Sequence, residues 1–114
     1  MKVHIIREPA SGQQINEMLE AIPDYIKLAV DVERGVLAGG SGLHSDCEQV
    51  LLDNGSRQEN VWGADWYPET RELMFGSLIN IRPRDGNRSM MIQSAELRSR
   101  IEAIVRRLLE VPPA

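Results

Sequence analysis

Apolar residues recur along the chain at two spacings, and each spacing predicts a type of element. From Tyr25 onward they alternate: Ile26, Leu28, Val30 and Val32 share one side, and Lys27 and Asp31 the other. A period of two predicts a half-buried strand over 25–31. Glu33-Arg34-Gly35 then reads as a short hairpin loop, because glycine reaches positive φ without cost. Val36-Leu37-Ala38 returns as the partner strand. A second alternating stretch, Val61–Tyr67, puts Trp62, Ala64 and Trp66 on one face and Tyr67 on the other. From Leu73 to Arg82 the odd positions Leu73, Phe75, Ile79 and Ile81 are apolar with Ser77 between them. This predicts one long strand with a bulge or kink at Gly76 and a stop at Pro83. Burial of Ser77 within it would be met by a hydrogen bond to backbone. Val3-His4-Ile5-Ile6 is a further short strand candidate.

Helical spacing appears three times. Ile15, Met18, Leu19 and Ile22 form one stripe behind Ser11 and Gln14, which have capping-box spacing, and Pro23 ends the run. This predicts a helix over 12–22. Ser45 and Glu48 repeat the capping-box spacing ahead of Val50, Leu51 and Leu52, with Asn54-Gly55 as a stop. This predicts a short helix over 46–53. Ser94 precedes Leu97, Ile101, Ile104, Val105, Leu108 and Leu109, with Glu102 and Arg106 four apart and Val111-Pro112-Pro113 as the stop. The order is β-α-β-β-α-β-β-α. Hairpins outnumber crossovers, so the expected fold is α+β, a single domain over 1–114, with a mostly antiparallel or mixed sheet and helices packed on a face. The charged face of the strands is expected to be solvated or an interface.

Composition narrows the class. At 114 residues the chain is long enough for one core. Its apolar runs fall far short of the ~20 residues of a membrane helix, so no membrane partner is expected. Its only cysteine, Cys47, cannot form an internal disulfide, which points to a reducing, cytoplasmic setting. A net charge of −4 disfavours nucleic acid as a partner. Homo-oligomerisation is left open, and no cofactor motif appears.

Two polar clusters bear chemistry. His44-Ser45-Asp46-Cys47-Glu48 carries groups that bind metals or move protons. His44, Asp46 and Glu48 share a face if the segment is extended, and His44 and Glu48 do if it is helical. A small metal-assisted hydrolase is one reading. The other is that Ser45, Asp46 and Glu48 start a helix, with Cys47 a small buried hydrophobe, which favours no metal site. The second cluster is Asn80, Arg82, Arg84, Asn87 and Arg88 around Gly86. Arginine forks suit phosphate or carboxylate, so these residues predict a non-enzymatic binding or regulatory module for a small anion, nucleotide or acidic partner. Ion pairing of Arg82 with Asp46, Glu48 or Asp65 is the structural alternative. Trp62, Trp66 and Tyr67 are three of only five aromatic residues, and the shared face of the tryptophans predicts core.

Several stretches together resemble a family of small bacterial and archaeal proteins of unknown function. They are Gly39-Gly40, Leu43 to Glu48, Gly55 to Gln58, Trp62 to Asp65, Ser77-Leu78-Ile79-Asn80-Ile81-Arg82-Pro83 and Gly86 to Met90. The resemblance covers nearly the whole chain and implies no activity, cofactor or catalytic residue. Relatives often carry an acidic residue where this chain has Gly42, which weakens a metal site here.

Overall fold

A computed structural model describes residues 3–110. The sheet has five strands: β1 (His4–Ile6), β2 (Ile26–Asp31), β3 (Val36–Gly39), β4 (Val61–Tyr67) and β5 (Glu72–Met74). Their spatial order is β1-β3-β2-β4-β5, and every pairing is antiparallel. The β2–β3 hairpin closes as its residue types require. Asp31 Oδ1 accepts the Glu33 and Arg34 N–H groups at 2.9 Å each, and Gly35 takes φ 68°.

Alternation along the strands splits the sheet into two faces. On one, Ile26, Leu28 and Val30 join Leu37, Trp62, Ala64 and Trp66 beneath α1 (Gly12–Met18) and α3 (Ala95–Leu109). The predicted stripe of α3 supplies Ile101, Val105, Leu108 and Leu109 as buried residues, with Leu97 and Ile104 at the margin. Ser94 caps its first turn by accepting the Leu97 N–H at 3.1 Å. The opposite face is neither solvated nor open. It is covered by α2 (His44–Asp53), whose Cys47 and Leu51 pack on Ala29, Val36, Ala38 and Val61. Ala38, Ala29 and Gly63 stand side by side on β3, β2 and β4, and this row of small residues admits the helix. The fold is the α+β class expected, an antiparallel sheet with helices packed on it, and the helices cover both faces.

Three element boundaries also differ from expectation. α1 forms its capping box, Gln14 N to Ser11 Oγ at 3.1 Å and Ser11 N to Gln14 Oε1 at 2.9 Å, but ends at Met18 rather than 22. The Glu20 N–H reaches back only three residues, to Glu17 O, which tightens the last turn before Pro23. α2 starts two residues early, with Leu43 at the N-cap and no Ser45 cap. No side chain caps its first turn; upstream, Ser41 accepts the Leu43 N–H at 3.1 Å and donates to Asp46 Oδ2 at 2.6 Å. The long strand over 73–82 does not form. β5 stops at Met74, and the chain leaves the sheet through short 3-10 turns at Leu78–Asn80 and Pro83–Asp85.

Asn80 explains the break. It is fully buried, and its amide replaces a strand beside β4. Oδ1 accepts the Gly63 N–H at 2.8 Å, and Nδ2 donates to Gly63 O at 3.0 Å. Nδ2 also lies 3.2 Å from the carbonyls of Phe75 and Met90. A side chain that satisfies both backbone groups of Gly63 removes the need for a paired strand there. The proposed stop at Val111-Pro112-Pro113 lies outside the described residues.

Candidate functional site

A cleft of about 400 Å³ opens on the α2 face of the sheet. Tyr25, just before β2, with Lys27 of β2 and Asp65 of β4 forms its floor, Leu43-His44-Ser45 at the start of α2 one wall, and Gly76–Ile79 with Met90 the other. The strand period delivers Lys27 and Asp65 here. They are directly opposite each other across the β2–β4 pair, on the face away from Trp66. Gly63 brings the second wall close: a Cβ at that position would lie 2.6 Å from Ser77 Cβ. Ser77 is buried, and its Oγ accepts the Ile79 N–H at 3.3 Å, the expected backbone bond for that serine. Tyr25 stacks on Tyr67 at 4.9 Å between ring centroids beside the cleft.

His44 is the polar centre. Its Nε2 lies 2.7 Å from Asp65 Oδ1, with the two side chains only 11% and 16% exposed. A carboxylate on one ring nitrogen fixes the ring's orientation and leaves Nδ1 as the group available to a ligand. Among the described residues Nδ1 has no hydrogen-bond partner.

The other members of the first cluster point elsewhere. Asp46 is taken by Ser41. Cys47 is buried against the sheet, its thiol 3.6 Å from Lys27 O and pushed up to about 11 chiefly by burial. Burial also raises the Glu48 carboxyl above the ordinary range, against the opposing pull of Arg82 and a hydrogen bond from Gln58. His44, Asp46 and Glu48 therefore do not converge. Among the described residues no three His, Cys, Asp or Glu side chains gather as a metal would require.

The second cluster lies outside the cleft, and its asparagines are consumed internally. Asn87 Nδ2 donates to the carbonyls of Asn80, Ser89 and Met91 at 2.8, 2.8 and 3.0 Å, and Oδ1 accepts the Gln93 N–H at 2.9 Å. Arg82 sits over Trp62 with Cζ 3.7 Å from the ring centroid, and donates to the carbonyls of Gln58 and Val61. Its acidic neighbour is Asp85 at 3.9 Å, with Glu48 acting at longer range. Burial lowers its guanidinium pKa. Arg84 and Arg88 are exposed on the surrounding loop. The arginines of α3 likewise reach backbone: Arg98 to Ile92 O, Arg100 to Val32 O and Arg107 to Gly35 O.

Sequence reasoning singled out His44 and Ser77, which line this cleft, but not Lys27, which lines it too, nor Asp65 as the histidine's partner. The signal was present in β4, where strand alternation sets Asp65 on the same side as Gly63, among residues otherwise small or apolar. No helix among the described residues is long and apolar enough to cross a membrane. No curated protein and no solved structure matches the chain. One family profile does, over residues 4–108, and the chain belongs to the family it describes, Protein of unknown function (DUF5674).

Proposed function

We propose that this chain is a small-molecule-binding protein whose ligand occupies the cleft over β2 and β4, anchored by His44. The observation that carries this reading is the His44–Asp65 pair at 2.7 Å inside a cleft of about 400 Å³, with Nδ1 unpartnered. Concave sites that hold small molecules combine apolar walls with a few fixed polar groups. Leu43, Leu78, Ile79 and Met90 supply the walls here.

The reading keeps the binding module expected from the sequence but moves its site from the arginine loop to the cleft. The hydrolase built on His44, Asp46 and Glu48 has less support, because each of those groups has a different partner. The test is a thermal-shift screen of a small-molecule library run in parallel on the wild type and on His44→Gln. Binding to the native state raises its stability by mass action. Compounds that stabilise the wild type should lose most of their effect in the variant. Compounds that act equally on both proteins, or a library with no stabilising member, would overturn the reading.

A further inference from the structure

One group in the cleft narrows the chemistry of its occupant. Lys27 is half-buried and faces Asp65 directly across the β2–β4 pair, where an ion pair is the ordinary outcome. Asp65 instead takes His44, and the Lys27 ammonium has no ion pair or hydrogen bond among the described residues. Asp46, the acid in the first turn of α2, is occupied by Ser41. A cation that lines a cleft and holds no partner there is open to an anion that enters it. Around the same opening Leu43, Leu78 and Met90 are 57%, 72% and 48% exposed. Single exposed apolar residues need no explanation, but three on one rim form a surface that a hydrocarbon would cover.

Resting on the cleft reading above, we infer that the occupant is an amphiphilic monocarboxylate, its head on the Lys27 ammonium and its hydrocarbon tail across Leu43, Leu78 and Met90. The single charge follows from Asp65. One ammonium balances one negative charge: a dianion such as phosphate would hold its second charge beside the Asp65 carboxylate with no cation to match it, and its desolvation cost grows faster than its charge. A carboxylate head also offers oxygens to His44 Nδ1 and the Ser45 hydroxyl, which line the same wall.

The experiment is an amide-resolved NMR titration with octanoate below its micellar range, alongside 1-octanol, octylamine and acetate. Octanoate should shift the amides of Lys27, His44 and Ser77 and bind about tenfold tighter than 1-octanol, the gain of a charge-assisted contact. Octylamine and acetate should bind more weakly than either. In Lys27→Gln the preference for octanoate over 1-octanol should vanish while 1-octanol still binds, and Lys27→Arg should restore it. An unchanged preference in Lys27→Gln, or octylamine binding as well as octanoate, overturns the carboxylate assignment and leaves the cleft reading standing. If none of the four probes shifts cleft amides, the amphiphile is overturned, and the His44→Gln screen decides the cleft reading separately.

Discussion

Asn80 and Arg82, both expected from the sequence to hold a ligand, spend their polar groups inside the fold. Asn80 carries four hydrogen bonds at 0% exposure, and removing its amide leaves Gly63 N–H and O buried without partners. An unsatisfied buried polar group costs ~1–3 kcal/mol, so Asn80→Ala should destabilise the protein by about 3 kcal/mol, read from urea unfolding. A loss below about 1 kcal/mol would mean that water replaces the amide. Arg82 makes the same point through a charge. Its planar fork lies on Trp62 while its nitrogens reach two carbonyls, a geometry lysine cannot copy. Arg82→Lys should lower stability by about 2 kcal/mol, the scale of a desolvated cation–π contact plus one charged hydrogen bond. The loss should be the same with and without phosphate. A phosphate-dependent loss would instead return the anion site to this arginine.

At the scale of elements, α3 and α2 pose different tests. α3 follows its stripe, with Ile101 at 0% exposure against the sheet, so Ile101→Ala should cost ~2–5 kcal/mol by the usual large-to-small arithmetic. A change under half a kcal/mol in urea unfolding would mean that its buried face is elsewhere. α2 carries Glu48, raised by burial, with Oε2 buried and unpartnered. A carboxyl whose folded pKa exceeds its unfolded value contributes stability that is fully present below the unfolded value and lost as pH rises through the folded one. Glu48→Gln removes that loss. The variant should gain on the wild type as pH rises through and above the ordinary carboxylate range, with the gap levelling off once the raised folded-state value is passed. Urea midpoints at a series of pH values check it, and a pH-independent gap would refute it. Element by element, legibility tracked locality. Ser11 and Gln14, the Ile26-Leu28-Val30 alternation and the α3 stripe each act within a few residues, and each formed. The 73–82 strand was misread because Asn80 meets a backbone 17 residues away, a partnership no local period encodes. The Ser45 cap was misread because the helix already starts at His44, which places Ser45 inside the first turn, a shift that the spacing of Ser45 and Glu48 does not reveal.

For the molecule as a whole, three layers meet at the cleft. The small-residue row Ala38-Ala29-Gly63 lowers the sheet surface so that α2 can approach, while Ser77 and Ile79 close the far side against Gly63. His44 then reaches Asp65, 21 residues along the chain and in a different layer. The sequence shows both residues but not their meeting, since that depends on which face α2 covers, and the charged side of the strands gave the opposite impression. Such a pair is a weak stabiliser. Both side chains are largely out of water, and the cost of desolvating them offsets most of their attraction. Asp65→Asn keeps the shape and a hydrogen-bonding oxygen but withdraws the charge that orients the imidazole. Because one hydrogen bond to the ring is kept, it should cost only about 1 kcal/mol in urea unfolding, the scale of a single net hydrogen bond. The same variant should lose most of the thermal shift given by compounds that stabilise the wild type, much as His44→Gln does. Combining the two substitutions should add little further loss of ligand response, because residues that act as one unit are not additive. A ligand response that survives Asp65→Asn, or an additive double variant, would show that the two side chains contact the occupant independently.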